Sequence, residues 1–159
     1  MAHDIGVIYA QNSRYVYNIA LRMLCDRQDA EDIMQEVFIK LQKKIAGFQG
    51  NSELKTFIYR MTVNSSIDLM RRRQSLAGRA ERSMENKTGH VNAEYDGAMM
   101  LDSLLGTLPP EQRAAVVLFE VGGFSQKEIA IMLKTNVGTV KSRISRSIAK
   151  MSGLIKKEG

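Results

Sequence analysis

Near the end of the chain Thr139, Ser142, Arg143 and Arg146 recur at offsets 0, 3, 4 and 7, flanked by Lys141 and Ser145. On a helix these residues share one exposed side. Arginine grips guanine edges through two parallel hydrogen bonds, and small hydroxyl side chains let a helix sit deep in a groove while bonding phosphate. That is the chemistry of reading duplex nucleic acid. The charge agrees with it: from Lys127 onward eight basic residues stand against Glu128 and Glu158, a net +6 in 33 residues. A basic segment so one-sided is a polyanion footprint. A second series, Thr56, Arg60, Asn64 and Asp68, is spaced by four and lines one polar helix face, with Arg71, Arg72 and Arg73 just beyond it. A third is acidic: Glu31, Asp32, Gln35 and Glu36. Taken singly, each series is also what a solvated helix face looks like.

Other chemistries lack their residues. Cys25 is the one cysteine, so neither an internal disulfide nor a cysteine zinc cage is available, and His3 and His90 are too scattered to hold a metal. No glycine-rich phosphate loop and no Ser–His or Cys–His pair stands out, so no catalysis, cofactor or small-molecule substrate is expected. No apolar run approaches the ~20 residues of a membrane span, and residues 1–8 lack the basic start and apolar core of a secretory signal. Apolar residues at 44% and charged residues at 25% of 159 are globular proportions. Cys25 reads as a small buried apolar group rather than a redox sensor.

These side chains need helices to position them, and helical periodicity is widespread, which predicts an all-α protein. The stretch Gln74–Asp96, rich in Gly, Ser, Asn, Glu and Arg, reads as a linker, partly helical at most. It divides the chain into modules 1–73 and 97–159, each too small for a comfortable core, so the two are expected to rest on each other or on a partner. The first module is read as three helices. Ile5–Cys25 carries Ile8, Val16, Ile19, Ala20, Met23 and Leu24, with Tyr9, Tyr15 and Tyr17 as packing aromatics. The second starts near Asp26 or Asp29 as N-cap and turns Ala30, Ile33, Met34, Val37, Phe38, Leu41 and Ile45 inward. The third, about Glu53–Arg73, is expected to bury Leu54, Phe57, Ile58, Met61, Ser65 and Leu69. A Gly47–Ser52 turn joins the last two.

In the second module a helix over Ala98–Leu108 precedes the Pro109-Pro110 break, and another spans Glu111–Val121 before Gly122-Gly123. Ser125 and Glu128 form a capping box for a helix of barely two turns, Gln126–Leu133, packing through Ile129, Ala130 and Leu133. After a turn at Lys134–Thr135 and a new cap at Asn136, the last helix runs from Val137 towards Lys156, with Val140, Ile144, Ile148, Met151 and Ile155 inward. A short helix, a tight turn and a longer basic helix make a helix-turn-helix.

Four segments in order, Asp29–Phe38, Leu54–Asn64, Leu108–Arg113 and Val137–Ile144, together resemble a bacterial RNA polymerase sigma factor of the sigma-70 family. The two-module build resembles the extracytoplasmic-function (ECF) group, and the likeness covers roughly 130 residues. It implies a non-catalytic promoter-specificity subunit. Asp29, Glu31, Asp32, Gln35 and Glu36 would dock on the β′ clamp coiled coil of core polymerase. Phe48, Asn51, Ser52, Lys55, Thr56, Phe57, Arg60, Asn64, Asp68 and Arg71–Arg73 would open and hold the −10 element. Ser125, Gln126, Asn136, Thr139, Lys141, Ser142, Arg143, Ser145 and Arg146 would read the −35 element, the second module also touching the β flap. The linker resembles the segment that threads towards the polymerase active-site channel. The resemblance further implies control by an anti-sigma factor and a cytoplasmic location, at the inner membrane when that inhibitor is anchored there. Phe57 stands where tryptophan is common, Thr62 where alanine is common and Ser145 where a larger residue is common. A stand-alone helix-turn-helix regulator, or a sigma-like decoy that sequesters an anti-sigma factor, would share the last helix.

Overall fold

The computed structural model describes residues 4–48, 53–79 and 97–158. Asn51, Ser52, His3, His90 and linker residues 80–96 lie outside them. Among the described residues the secondary structure is helical throughout, with no strand. Three helices precede the linker: α1 (Ile5–Leu24), α2 (Arg27–Lys44) and α3 (Glu53–Arg79), with a 3-10 turn at Ile45–Gly47. Four follow it: α4 (Gly97–Gly106), α5 (Pro110–Val116), α6 (Gln126–Met132) and α7 (Val137–Glu158). Residues Val117–Val121 continue α5 as a single π-helical turn.

Local chemistry sets the breaks. Asp4 caps α1 by accepting from the Gly6 amide. Cys25 ends α1 in a left-handed conformation (φ 55°), its amide returning to the Leu21 carbonyl. Of the two cap candidates for α2, Asp26 takes the role, accepting from the Asp29 amide at 2.9 Å. α3 overruns the expected end at Arg73 by six residues, since residues 74–79 contain no proline to stop it.

α1, α2 and α3 pack around Ile8, Val16, Ile19, Met23, Ile33, Val37 and Leu41, as their periodicity requires. The inward set of α3 differs from the expected one. Ile58, Tyr59, Thr62, Val63, Ser65, Ser66 and Ile67 are buried, while Leu54, Phe57, Met61 and Leu69 are only partly so. The reason is that α3 has two packed sides, one on α1 and α2 and one on α5, which widens its buried arc beyond a single stripe. Of the tyrosines on α1, Tyr9 and Tyr15 are exposed, although Tyr9 meets the Phe38 ring edge-on at 4.8 Å.

In the second module Leu105, Leu108, Val116, Val117, Leu118, Ile129, Met132, Val140 and Ile144 form the core. The inward line of α7 runs through Val140, Ile144, Ser147 and partly buried Met151. Ile148 and Ile155, expected inside, are 43% and 44% exposed, because the 3.6-residue period rotates them off the short layer that α5 and α6 provide. Gly122 is required by space: a Cβ there would stand 2.8 Å from both the Leu118 carbonyl oxygen and the Phe124 ring. Gly123 turns the chain with φ +71°.

Candidate nucleic-acid interface

The helix-turn-helix is built as its sequence requires. The Ser125 hydroxyl accepts from the Glu128 amide (3.1 Å), and the Glu128 carboxylate accepts from the Ser125 amide (2.9 Å). Asn136 caps α7 by accepting from the Thr139 amide at 2.7 Å. The side chains of Ser125 and Asn136 are therefore committed to caps, leaving their exposed edges near the start of each helix. Lys141, Ser142, Ser145 and Arg146 are exposed, Thr139, Arg143 and Gln126 half-buried. The turn passes through Lys134 in a left-handed conformation, φ 53°.

On α3, Thr56, Arg60 and Asn64 are half-buried and Asp68, Arg71, Arg72 and Arg73 exposed, in the expected four-residue progression. Phe48, at the end of the 3-10 turn, stacks obliquely on Phe57 with ring centroids 5.4 Å apart, which joins the loop to the helix. The Lys55 ammonium lies over two aromatic rings, 5.8 Å from Tyr15 and 5.5 Å from Tyr59. Thr62, the departure from alanine, is buried with its hydroxyl donating to the Ile58 carbonyl at 2.8 Å. The substitution is thus satisfied within the helix.

The two polar faces are neighbours in space. Asn64, Asp68 and Arg71 of α3 line one side of a cleft of about 1220 Å3, and Thr139, Ser142, Arg143 and Arg146 of α7 line another. Glu111, in the first turn of α5, stands in the same cleft and forms an ion pair with Arg71. Desolvation alone would raise the Glu111 carboxyl. The hydrogen bond from Arg71, its own backbone amide and the field of Arg143 outweigh that and hold it below the usual carboxylate range.

A scan against protein families matches the Sigma-70 region 2 model over residues 8–76 and the Sigma-70, region 4 model over residues 98–151. The ECF RNA polymerase sigma factor SigW of Bacillus subtilis is 31% identical over 162 aligned residues, covering 90% of this chain and 82% of that one. This chain belongs to the sigma-70 family, in its ECF group. The ECF RNA polymerase sigma-E factor of Escherichia coli K12 is 30% identical, covering 75% of this chain and 70% of that one. SigE of Mycolicibacterium smegmatis is 34% identical over 86% of this chain, which spans 55% of that relative's length. In fold, the chain matches the sigma factor RpoE of Bartonella quintana, solved with the anti-sigma factor NepR. The TM-score is 0.80 at 24% identity, covering 95% of this chain and 96% of that one.

In this sigma factor the acidic series of α2 is divided. Glu31, Asp32 and Gln35 are exposed and Glu36 half-buried; Asp32 accepts from Gln28 at 3.0 Å and Glu36 pairs with Lys40 at 2.6 Å. Asp29 departs from the expected face. It is 8% exposed and takes two hydrogen bonds from Arg73, one at 2.7 Å. The reason is position: Asp29 faces inward in the first turn of α2, where the end of α3 passes. Arg73, expected to hold DNA phosphate, is in turn drawn towards α2.

Two residues that matter here stood in the sequence only as part of the Leu108–Arg113 motif. One is Glu111. The other is Arg113, whose guanidinium donates to the carbonyls of Met23, Gly106 (3.1 Å) and Leu108 (3.0 Å) and approaches the Met70 sulfur at 3.1 Å. It joins the C-terminal ends of α1 and α4, where the helix dipoles favour a cation. Further contacts tie the modules together. Arg22 pairs with Asp102 at 2.6 Å, the Cys25 thiol donates to the Asp102 carbonyl at 3.3 Å, and Tyr59 meets Phe124 edge-on at 5.3 Å. Cys25 is exposed rather than buried, although desolvation by the surrounding chain pushes its thiol pKa up. Among the described residues no group of His, Cys, Asp and Glu could hold a metal ion, and no helix is long and apolar enough to cross a membrane.

Proposed function

We propose that this sigma factor binds core RNA polymerase and directs promoter-specific initiation of transcription, with no catalysis and no cofactor of its own. Residues 1–73 form the polymerase- and −10-binding module, 97–159 the −35-binding module, and 74–96 the connection, whose first residues continue α3. The observation that carries the reading is the presence, in one chain, of two separate polar faces suited to DNA, on α3 and α7, and a third, acidic face on α2.

Each face has its part. Glu31, Asp32, Gln35 and Glu36 dock on the β′ clamp coiled coil. Phe48 and Phe57, with Lys55, Thr56, Arg60, Asn64, Asp68, Arg71 and Arg72 and the loop residues Asn51 and Ser52, hold the opened −10 strand. Unstacking a base costs a few kcal/mol, which aromatic and polar contacts must offset. Thr139, Lys141, Ser142, Arg143, Ser145 and Arg146 read the −35 element from the major groove, helped at its edge by Ser125, Gln126 and Asn136. The second module also meets the β flap. The protein works in the cytoplasm under an anti-sigma factor, a partnership supported by the structural relative solved with NepR.

The test is run-off transcription with purified protein and core polymerase, expected to give promoter-dependent transcripts. Asp32→Lys with Glu36→Lys should abolish core binding and transcription while leaving duplex binding intact. A stand-alone regulator would keep its function in that variant, and a decoy would show no salt-dependent DNA binding. Folded protein that fails to bind core polymerase would refute the proposal.

A further inference from the structure

We propose that Asp29 is a positioning residue for promoter opening and not a polymerase contact: its two-bond fork with Arg73 fixes the end of α3 on the start of α2 and so aims Arg71 and Arg72 at DNA. The inference rests on the reading of α3 as the −10 face and gives Asp29 and Arg73 their part in it.

Asp29 lies in the first turn of α2, its amide bonded to the Asp26 cap. A carboxylate there is favoured by the helix dipole, and both of its oxygens are taken. Arg73 Nη1 donates to Oδ2 and Nη2 to Oδ1, the latter at 2.7 Å. The Asp29 side chain is 11% exposed and that of Arg73 54%. A carboxylate so covered has nothing left to offer a coiled coil, whereas Glu31, Asp32 and Gln35 just beyond it are exposed. A pair half open to water contributes little to stability. Two parallel bonds from a planar guanidinium nevertheless fix direction as well as distance.

Direction matters because of where the fork lies on α3. Among the described residues Ile67 is the last fully buried side chain of that helix, followed by the partly buried Leu69 and Met70. Arg73 then takes hold of α2 across 44 positions of chain. At 3.6 residues per turn Arg71 lies about 200° around the axis from Arg73, on the side of Asn64 and Asp68, and Arg72 about 100° from each. Clamping Arg73 inward therefore sets the rotation at which Arg71 and Arg72 meet a phosphate. The same fork joins the first turn of the docking helix to the arginines of the DNA face. A polymerase that holds α2 still holds those arginines still as well.

The experiment uses the full chain with core polymerase and a duplex promoter recovered by selection with the wild-type holoenzyme. Opening is read as permanganate reactivity of unpaired thymines and affinity as fluorescence anisotropy across a salt series, below the melting transition of every variant. Asp29→Asn removes a negative charge and frees Arg73, so electrostatics alone expects tighter DNA binding and a salt slope steeper by about 0.9. Positioning expects the reverse: opening falls several-fold while affinity for core polymerase is unchanged. Arg73→Lys, which keeps the charge and loses the fork, should fall as far, and the double variant no further than either single one. Arg72→Ala should weaken DNA binding less in the Asp29→Asn background than in the wild type, a coupling that simple destabilisation does not produce. The inference is overturned if Asp29→Asn opens the promoter as well as the wild type, or if it loses core polymerase, which would make Asp29 a docking contact. Opening lost only in proportion to a lowered melting midpoint overturns it too. If the wild-type holoenzyme selects no promoter, the −10 reading falls and takes this inference with it.

Discussion

Arg113 shows how much one side chain can do when its five donors meet fixed carbonyls. Three of its acceptors are backbone oxygens at or just past helix ends, and its buried Nε has no partner. Desolvation lowers its pKa, but guanidinium remains charged in proteins. Arg113→Ala strands three carbonyls, and hydrogen bonds to a charged group are worth about 1.5–3 kcal/mol each before relaxation. We expect a net loss of about 2–4 kcal/mol in urea unfolding. Arg113→Lys should recover less than half of it, because a compact ammonium cannot reproduce the planar fork. Full recovery by lysine would show that charge alone matters there. Glu111 gives a pH signature. Its carboxyl is depressed in the folded chain, so its contribution is complete above the unfolded carboxylate value of about 4.3 and is lost as pH falls through the folded one. The stability difference between wild type and Glu111→Gln should therefore shrink between about pH 6 and pH 3. A difference that stays constant would mean that the Arg71 pair contributes nothing. The sequence marked both residues as part of a motif but not as a clasp, since their partners lie 40 to 90 positions away.

Among the elements, α2, with one buried side, was readable along its length, whereas α3, with two, was not. α2 buries Ala30, Ile33, Val37, Phe38 and Leu41 as its offsets require. α3 hides Tyr59, Val63 and Ile67 as well as Ile58, because α5 and Phe124 cover a second side that no local pattern announces. The helix-turn-helix was legible because capping chemistry is local: Ser125, Glu128 and Asn136 specify its helix starts almost unaided. Ser125→Ala should cost about 1 kcal/mol of stability. Ser125→Asp should keep the cap while weakening DNA binding by placing negative charge beside phosphate. Calorimetry and anisotropy on the two variants separate cap from contact. Equal DNA affinity for Asp and Ala would place residue 125 away from the duplex. The turn before it depends on Gly122. Gly122→Ala should destabilise by about 1–3 kcal/mol, since the added methyl meets backbone oxygen and a buried ring. A neutral effect would mean that the π turn can slide.

At the scale of the molecule, the acidic face of α2 and the polar faces of α3 and α7 are separate surfaces, carried by two modules that share one apolar core. Tyr59, Val63 and Ile67 of α3 and Phe124 of the second module are all buried, and Tyr59 meets Phe124 edge-on. Units of this size bury too little alone, so each module draws stability from the other. Phe124→Ala removes the ring on which Tyr59 rests and should cost about 3–5 kcal/mol in urea unfolding, lowering the midpoint read in either module alike. A midpoint that falls for the second module while the first keeps its own would show that the two unfold independently.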